Sequence, residues 1–287
     1  MKTIALLIAF IAGFLFPELH HLKYLVPWFV RFMLLMIFLQ FHFRNMTVRY
    51  SHYTILLTNL TIGIIICEVF RYFGEPILGE IAFFLGSTPT ATAASTVMGF
   101  LGGNIDYVVT SFILNTFGIS LSIPFTLPWV LRHQTPYAFL YVGQTVFSII
   151  IVPFLLARLL RWIYPKSQFW SQHIQGLIFV LWTFLVAILC AYSSYFIRTS
   201  CYSIGIIIEV GAVSFVMCVI NFGVGYLLGE KNFKHESSQS LGQKNTGSLI
   251  YLAMLYGNPL SVLGLTFYVL WHNLWNAIQL KRADVRK

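Results

Sequence analysis

The chain has 287 residues, 58% of them hydrophobic and only 9% charged, and its mean hydropathy is +0.78. Soluble domains carry about a quarter charged residues, so a purely water-soluble fold is excluded, and apolar runs follow one another too closely to leave room for a soluble domain. The formal net charge of +9 does not point to nucleic acid, because the basic residues gather at the ends of apolar runs, as membrane orientation requires.

A bilayer core is crossed by about 20 mostly apolar residues. On that measure polar breaks divide the chain into about ten spans, near 3–16, 24–43, 53–73, 77–101, 107–131, 137–161, 173–196, 202–228, 239–257 and 259–280. The first is short and follows Lys2, as in a signal peptide. No small-residue cleavage site follows it, and Pro17-Glu18-Leu19 leads directly into the next run, so it reads as a retained span. With the N-terminus cytoplasmic, the inner connections hold Lys2, Arg44, Arg49, Arg158, Arg161, Lys166, Lys231, Lys234, Lys281, Arg282, Arg286 and Lys287. The outer ones hold only Lys23, Arg71, Arg132 and Arg198. This asymmetry predicts one multi-pass domain in an inner or plasma membrane, with both termini cytoplasmic.

A few polar residues interrupt the spans. Arg31 and Glu209 lie roughly 10 Å from the outer end of their spans at 1.5 Å per residue; they suit mutual pairing, or Arg31 could meet an anion. Glu68 and Arg71, three apart, suit a local ion pair. The four cysteines, Cys67, Cys190, Cys201 and Cys218, show no ligand spacing and read as buried thiols.

Ten spans divide into two sets of five, repeat one over about 1–133 and repeat two over about 134–287. An odd number per set inverts the second against the first, and in such folds the binding site lies where corresponding spans are interrupted. The fourth and ninth spans are the interrupted ones. The fourth contains Gly86-Ser87-Thr88-Pro89-Thr90-Ala91-Thr92-Ala93-Ala94-Ser95-Thr96. Pro89 removes a backbone donor and opens the helix before it, while six hydroxyl residues can satisfy the freed groups or hold a ligand. A Pro-kinked helix packed through small residues is the plainer alternative. The ninth contains Ser240-Leu241-Gly242-Gln243-Lys244-Asn245-Thr246 and is too polar to face lipid. Lys244 either snorkels from a span end or sits in protein, since a charge at the membrane centre costs at least ~2.5 kcal/mol.

The Ala94-Ser95-Thr96-Val97-Met98 stretch, paired with Ser240-Leu241-Gly242-Gln243-Lys244-Asn245, resembles the bile acid–sodium symporter family. That family has alanine-serine-asparagine-valine-methionine in the fourth span and glutamate-x-glycine-x-glutamine-asparagine in the ninth. Phe16-Pro17-Glu18, followed by a second span and a basic link, is also similar. Auxin-efflux carriers share the layout, so the wider superfamily is included.

The resemblance implies ten helices in two inverted five-helix repeats, with helices four and nine broken and crossing. It implies substrate or ion contacts from Ser95, Thr96, Asn245 and, in the third span, Asn59. Ser111, Asn115 and Thr116 are the fifth-span candidates, and Ser240, Gln243, Lys244 and Thr246 complete the ninth-span set, with Pro89 and Gly242 at the breaks. The implied activity is secondary transport, not enzymatic catalysis, of a small organic anion (bile acid-like or another carboxylate). Access alternates as a panel of the first, second, sixth and seventh spans moves against a core. No nucleotide-binding motif is present, so no ATPase subunit is expected.

Two departures bear on coupling. Ser240 stands at the family's glutamate position and Lys244 at its glutamine position, both implied sodium ligands. Two unit charges ~4 Å apart interact by roughly 4 kcal/mol at an effective dielectric of 20, so an ammonium at Lys244 would expel sodium. Transport that is sodium-independent or proton-coupled is the expectation, with no cofactor. A more modest role has Lys244 bonding opened carbonyls to hold the crossing rigid. The alternatives are a symporter with one retained sodium site and an intramembrane enzyme acting on lipid. The latter lacks a nucleophile motif or paired intramembrane carboxylates.

Overall fold

The computed structural model describes residues 2–40, 46–132, 137–200 and 202–284. Among the described residues the chain is helical throughout, its one β feature being a bridge between two residues. In chain order the helices are α1 (Lys2–Leu15), α2 (Val26–Gln40), α3 (Tyr50–Tyr72), α4 (Pro76–Gly86), α5 (Ala93–Phe100), α6 (Ile105–Val130), α7 (Ala138–Val146), α8 (Val152–Ile163), α9 (Trp170–His173), α10 (Gln175–Thr199), α11 (Ile204–Leu228), α12 (Lys234–Gly242), α13 (Thr246–Tyr256) and α14 (Pro259–Asp284). A 3-10 turn, Pro17–Leu25, runs into α2, and a π-turn, Phe147–Ile151, joins α7 to α8.

Six helical stretches are long and apolar enough to cross a bilayer: Pro17–Gln40, Tyr50–Tyr72, Ile105–Val130, Ala138–Ile163, Gln175–Thr199 and Ile204–Leu228. The protein is therefore an all-α, multi-pass membrane protein. The other four expected spans do not meet that measure, each for a physical reason. The 14 residues of α1 reach only about 21 Å. Two spans are divided into halves, of which α4 and α13 are the apolar pieces at 11 residues each. The 26-residue α14 trades apolar content for His272, Asn273, Asn276 and Gln279 before ending in Lys281 and Arg282.

Local chemistry sets the boundaries. Gly74 takes φ +84°, a left-handed conformation open to glycine, and turns the chain after α3. Pro76 follows in the first turn of α4, where a missing N–H costs nothing. The Asn104 side chain accepts from the Tyr107 N–H at 2.9 Å and starts α6. Asn104→Ala should cost about 1 kcal/mol, read as a lower melting temperature of the purified protein.

The chain separates into two compact units, Met1–Phe43 with Gln134–Ser203, and Arg44–His133 with Ile204–Lys287. In the first, α1 lies along α10, where Leu6, Val186 and Cys190 form a core with Phe10, Phe179 and Trp182 against it. Ser194 and Arg198 both donate to the Phe14 carbonyl, at 2.7 and 3.0 Å, and so satisfy the end of α1. In the second, α3 packs on α4 and α6, and α11 on α12 and α14. Ile55, Ala94, Met98, Tyr107, Val108 and Leu241 form one of its cores. The expected ion pair of Arg71 with Glu68 is present, and Arg71 also donates to the Val130 carbonyl. Cys67, Cys190 and Cys218 are buried free thiols. Arg44, Cys201, Arg286 and Lys287, which figure in the expectations above, lie outside the described residues.

Candidate functional site

Both breaks lie in the second unit, and they meet. Helix α4 stops at Gly86, three residues before Pro89, and α5 begins at Ala93. Helix α12 stops at Gly242 and α13 begins at Thr246. The extended residues between them run antiparallel through a bridge of Thr90 with Lys244. The Ala91 N–H donates to the Gln243 carbonyl at 2.8 Å, and the Asn245 N–H to the Pro89 carbonyl at 2.7 Å. A Cβ on Gly242 would run into the Phe222 ring, so only glycine lets α12 end this close to α11.

Opening a helix frees carbonyls in its last turn, and a buried unpaired polar group costs roughly 1–3 kcal/mol. Here protein donors take them. On α4, Thr88 Oγ1 donates to the Phe84 carbonyl at 2.6 Å and Lys244 Nζ to the Gly86 carbonyl at 3.0 Å. On α12, Thr90 Oγ1 donates to the Ser240 carbonyl at 2.6 Å and the Tyr268 hydroxyl to the Gly242 carbonyl at 2.7 Å. Thr90→Val keeps the volume and deletes one of these bonds. Its expected cost of about 1–2 kcal/mol should appear as a lower melting temperature in detergent.

Lys244 is only 2% exposed, so snorkelling from a span end does not describe it. Its ammonium donates to Asn59 Oδ1 as well as to Gly86. The Asn59 amide donates in turn to Asn115 Oδ1 at 2.8 Å, and Asn115 to the Ser111 carbonyl at 2.9 Å and hydroxyl at 3.2 Å. The charge is thus met by a helix carboxyl end, whose partial charge is negative, and by a chain of neutral oxygens. Among the described residues no group of three or more His, Cys, Asp or Glu side chains could hold a metal ion.

The structure brings Asn59, Ser111, Asn115 and Lys244 into one network, with Gln243 joined through its backbone. The Gln243 side chain instead accepts from Gln239 at 2.6 Å, and Gln239 also donates to Asn276 at 2.8 Å. Thr116, Ser240 and Thr246 are buried with hydroxyls that no group among the described residues pairs. Asn245 is half-buried and contributes its backbone. Ser95 is half-buried and donates to the Thr92 carbonyl at 2.7 Å, while Thr96 is on an exposed face of α5. Neither joins the Lys244 network. Three contributors were not singled out from sequence: the Gly86 carbonyl, the Thr90 hydroxyl and Tyr268. Thr90 lay in the hydroxyl-rich break, but a helix-end carbonyl has no residue type, and Tyr268 reads as one aromatic in an aromatic-rich span.

Fold and site together define an all-α membrane protein organised around two broken helices that cross at a buried lysine. The sequence matches no protein-family model and no curated protein sequence.

Proposed function

We propose that the protein is a secondary transporter of a small organic anion, working without a bound sodium ion because Lys244 stands in its place. The observation that carries this reading is the antiparallel crossing of two broken helices with a buried ammonium on the carbonyl end of one of them. Broken helices crossing inside a membrane protein are the usual makings of a transporter site. The second half-helices, α5 and α13, present amino ends without a side-chain cap, and such ends favour negative charge. The unpaired hydroxyls of Ser240 and Thr246 supply neutral donors at the same breaks.

In this reading α1, the paired half-helices and α14 join the six continuous spans to make ten, in two inverted sets of five, with both termini cytoplasmic. The two compact units correspond by segment to the panel (first, second, sixth and seventh spans) and the core implied by the likeness to bile acid–sodium symporters, and transport proceeds by alternating access. The helix-end carbonyls that would otherwise suit a cation already hold Thr88, Thr90, Tyr268 and Lys244 as donors, which favours sodium independence over a retained sodium site. Counterflow of labelled carboxylates in proteoliposomes tests the proposal. Exchange is expected at equal rates in sodium and in choline buffer. An absolute sodium requirement, or no exchange of any carboxylate, would overturn it.

A further inference from the structure

The first unit holds a cation that the crossing does not use. Arg31 lies in the apolar helix Pro17–Gln40, well away from either end, where a guanidinium must face protein or water. Both of its bonds go to Ser148: Nη2 donates to the hydroxyl at 2.6 Å and Nε to the carbonyl at 3.3 Å. The backbone explains why that carbonyl is available. Ser148 stands in the π-turn Phe147–Ile151, where the Val152 N–H is drawn to the Phe147 carbonyl. The next residue is Pro153, which has no N–H to give. Ser148 is therefore left without a helix donor, and Arg31 takes the place of one. A π-turn of this kind is often found where a helix carries function.

The guanidinium also lies over the Trp28 ring, 5.1 Å from its centre. Trp28 is 65% exposed. Two of the five guanidinium N–H groups are spent on Ser148, and Ser148, accepting through its oxygen, keeps its own O–H to donate. Among the described residues of this unit no ion pair meets the charge. The unit's sequence contains a single acidic residue, Glu18, and the ion pairs among the described residues, Arg49 with Glu230 and Arg71 with Glu68, both belong to the other unit. Within this unit the hydrogen-bond partner of Arg31 is a neutral serine.

The geometry points to a binding site for an organic carboxylate with an apolar body, formed by Arg31, Ser148 and Trp28. A guanidinium fork held at one edge presents its remaining donors to the two oxygens of a carboxylate. The indole beside it offers a flat apolar face to the rest of the molecule. The site stands apart from the transport reading, since this unit contains neither helix break, and direct binding tests it whether or not transport is found.

The probe is 4-tert-butylbenzoate, with 4-tert-butylbenzamide as its uncharged match, titrated calorimetrically into the purified full chain in a neutral detergent. The unmodified protein is expected to bind the acid at least about tenfold more tightly than the amide, the effect of one charge-assisted pair. Arg31→Gln should erase that preference, and Arg31→Lys should keep only part of it, because an ammonium lacks the fork. Ser148→Ala retains the charge and the backbone carbonyl and removes one donor, so it should weaken the acid severalfold and leave the amide unchanged. It carries the test if Arg31→Gln does not fold. Equal binding of acid and amide by the unmodified protein, or an undiminished preference for the acid in Arg31→Gln or Ser148→Ala, would overturn the inference.

Discussion

Replacement of Lys244 by methionine is expected to lower carboxylate exchange about a hundredfold while leaving a folded protein. The side chain makes two charge-assisted hydrogen bonds, to Asn59 Oδ1 and the Gly86 carbonyl. At about 1.5 kcal/mol each, and tenfold per 1.4 kcal/mol, their loss amounts to about a hundredfold. Folding is less affected because two terms oppose each other. The substitution leaves two oxygens unpaired, but it also removes a buried charge with no carboxylate partner, which is itself expensive to hold. The converse experiment is Ser240→Glu combined with Lys244→Gln, which restores an acid and an amide at the crossing. The double variant should be stabilised by sodium chloride over choline chloride in a thermal melt, and the unmodified protein should not. Equal responses to the two salts in both proteins would count against Lys244 as a substitute for the ion.

The second large effect lies one turn away, in the packing that holds Asn59 in place. A Cβ on Gly86 would collide with the backbone of Gly63 on α3, and one on Gly63 would meet the Phe83 carbonyl at 2.7 Å. These obstacles are main chain and cannot swing aside. Asn59 is one turn before Gly63 on the same helix, so the closeness of α3 to α4 is what lets its amide and the Gly86 carbonyl share one ammonium. Gly86→Val should cost at least about 3 kcal/mol, the upper end of overpacking in a core. The expected readout is loss of the monodisperse peak in detergent chromatography. Gly223, beside which a Cβ meets nothing within 4 Å, is the control, and Gly223→Ala should elute like the unmodified protein. A normal peak for Gly86→Val would show that α3 and α4 can separate without harm.

Much of this arrangement is legible in the amino-acid order, for identifiable reasons. Apolar runs mark helices because lipid leaves the backbone no other partner than itself, and six of the ten apolar segments coincide with helical stretches long and apolar enough to cross a bilayer. The breaks are visible because Pro89 cannot donate and Gly242 carries no side chain. Lys244 stands out as a charge in an apolar setting. What the order of residues does not carry is register across a separation of 150 positions. That register brings Thr90 to the Ser240 carbonyl and Tyr268 to that of Gly242. It also decides which face of α5 turns outward, and so leaves Thr96 exposed while Ser111 and Asn115 reach Asn59. The π-turn was hidden for a different reason. Phe147 to Val152 is an ordinary apolar run, and the shift comes from Pro153 acting one turn back.

The two backbone bonds between the breaks also bear on how the chain is made. Residues 87–92 are synthesised long before their partners near Gln243 exist, and a buried peptide group left unpaired costs several kcal/mol. The first six helices, α1 to α6, therefore form a partial product with an unfinished seam. A ribosome-tethered or truncated chain ending near residue 133 should remain bound to insertion factors and open to membrane proteases. Co-expression of the missing half as a separate polypeptide should close the seam and release it.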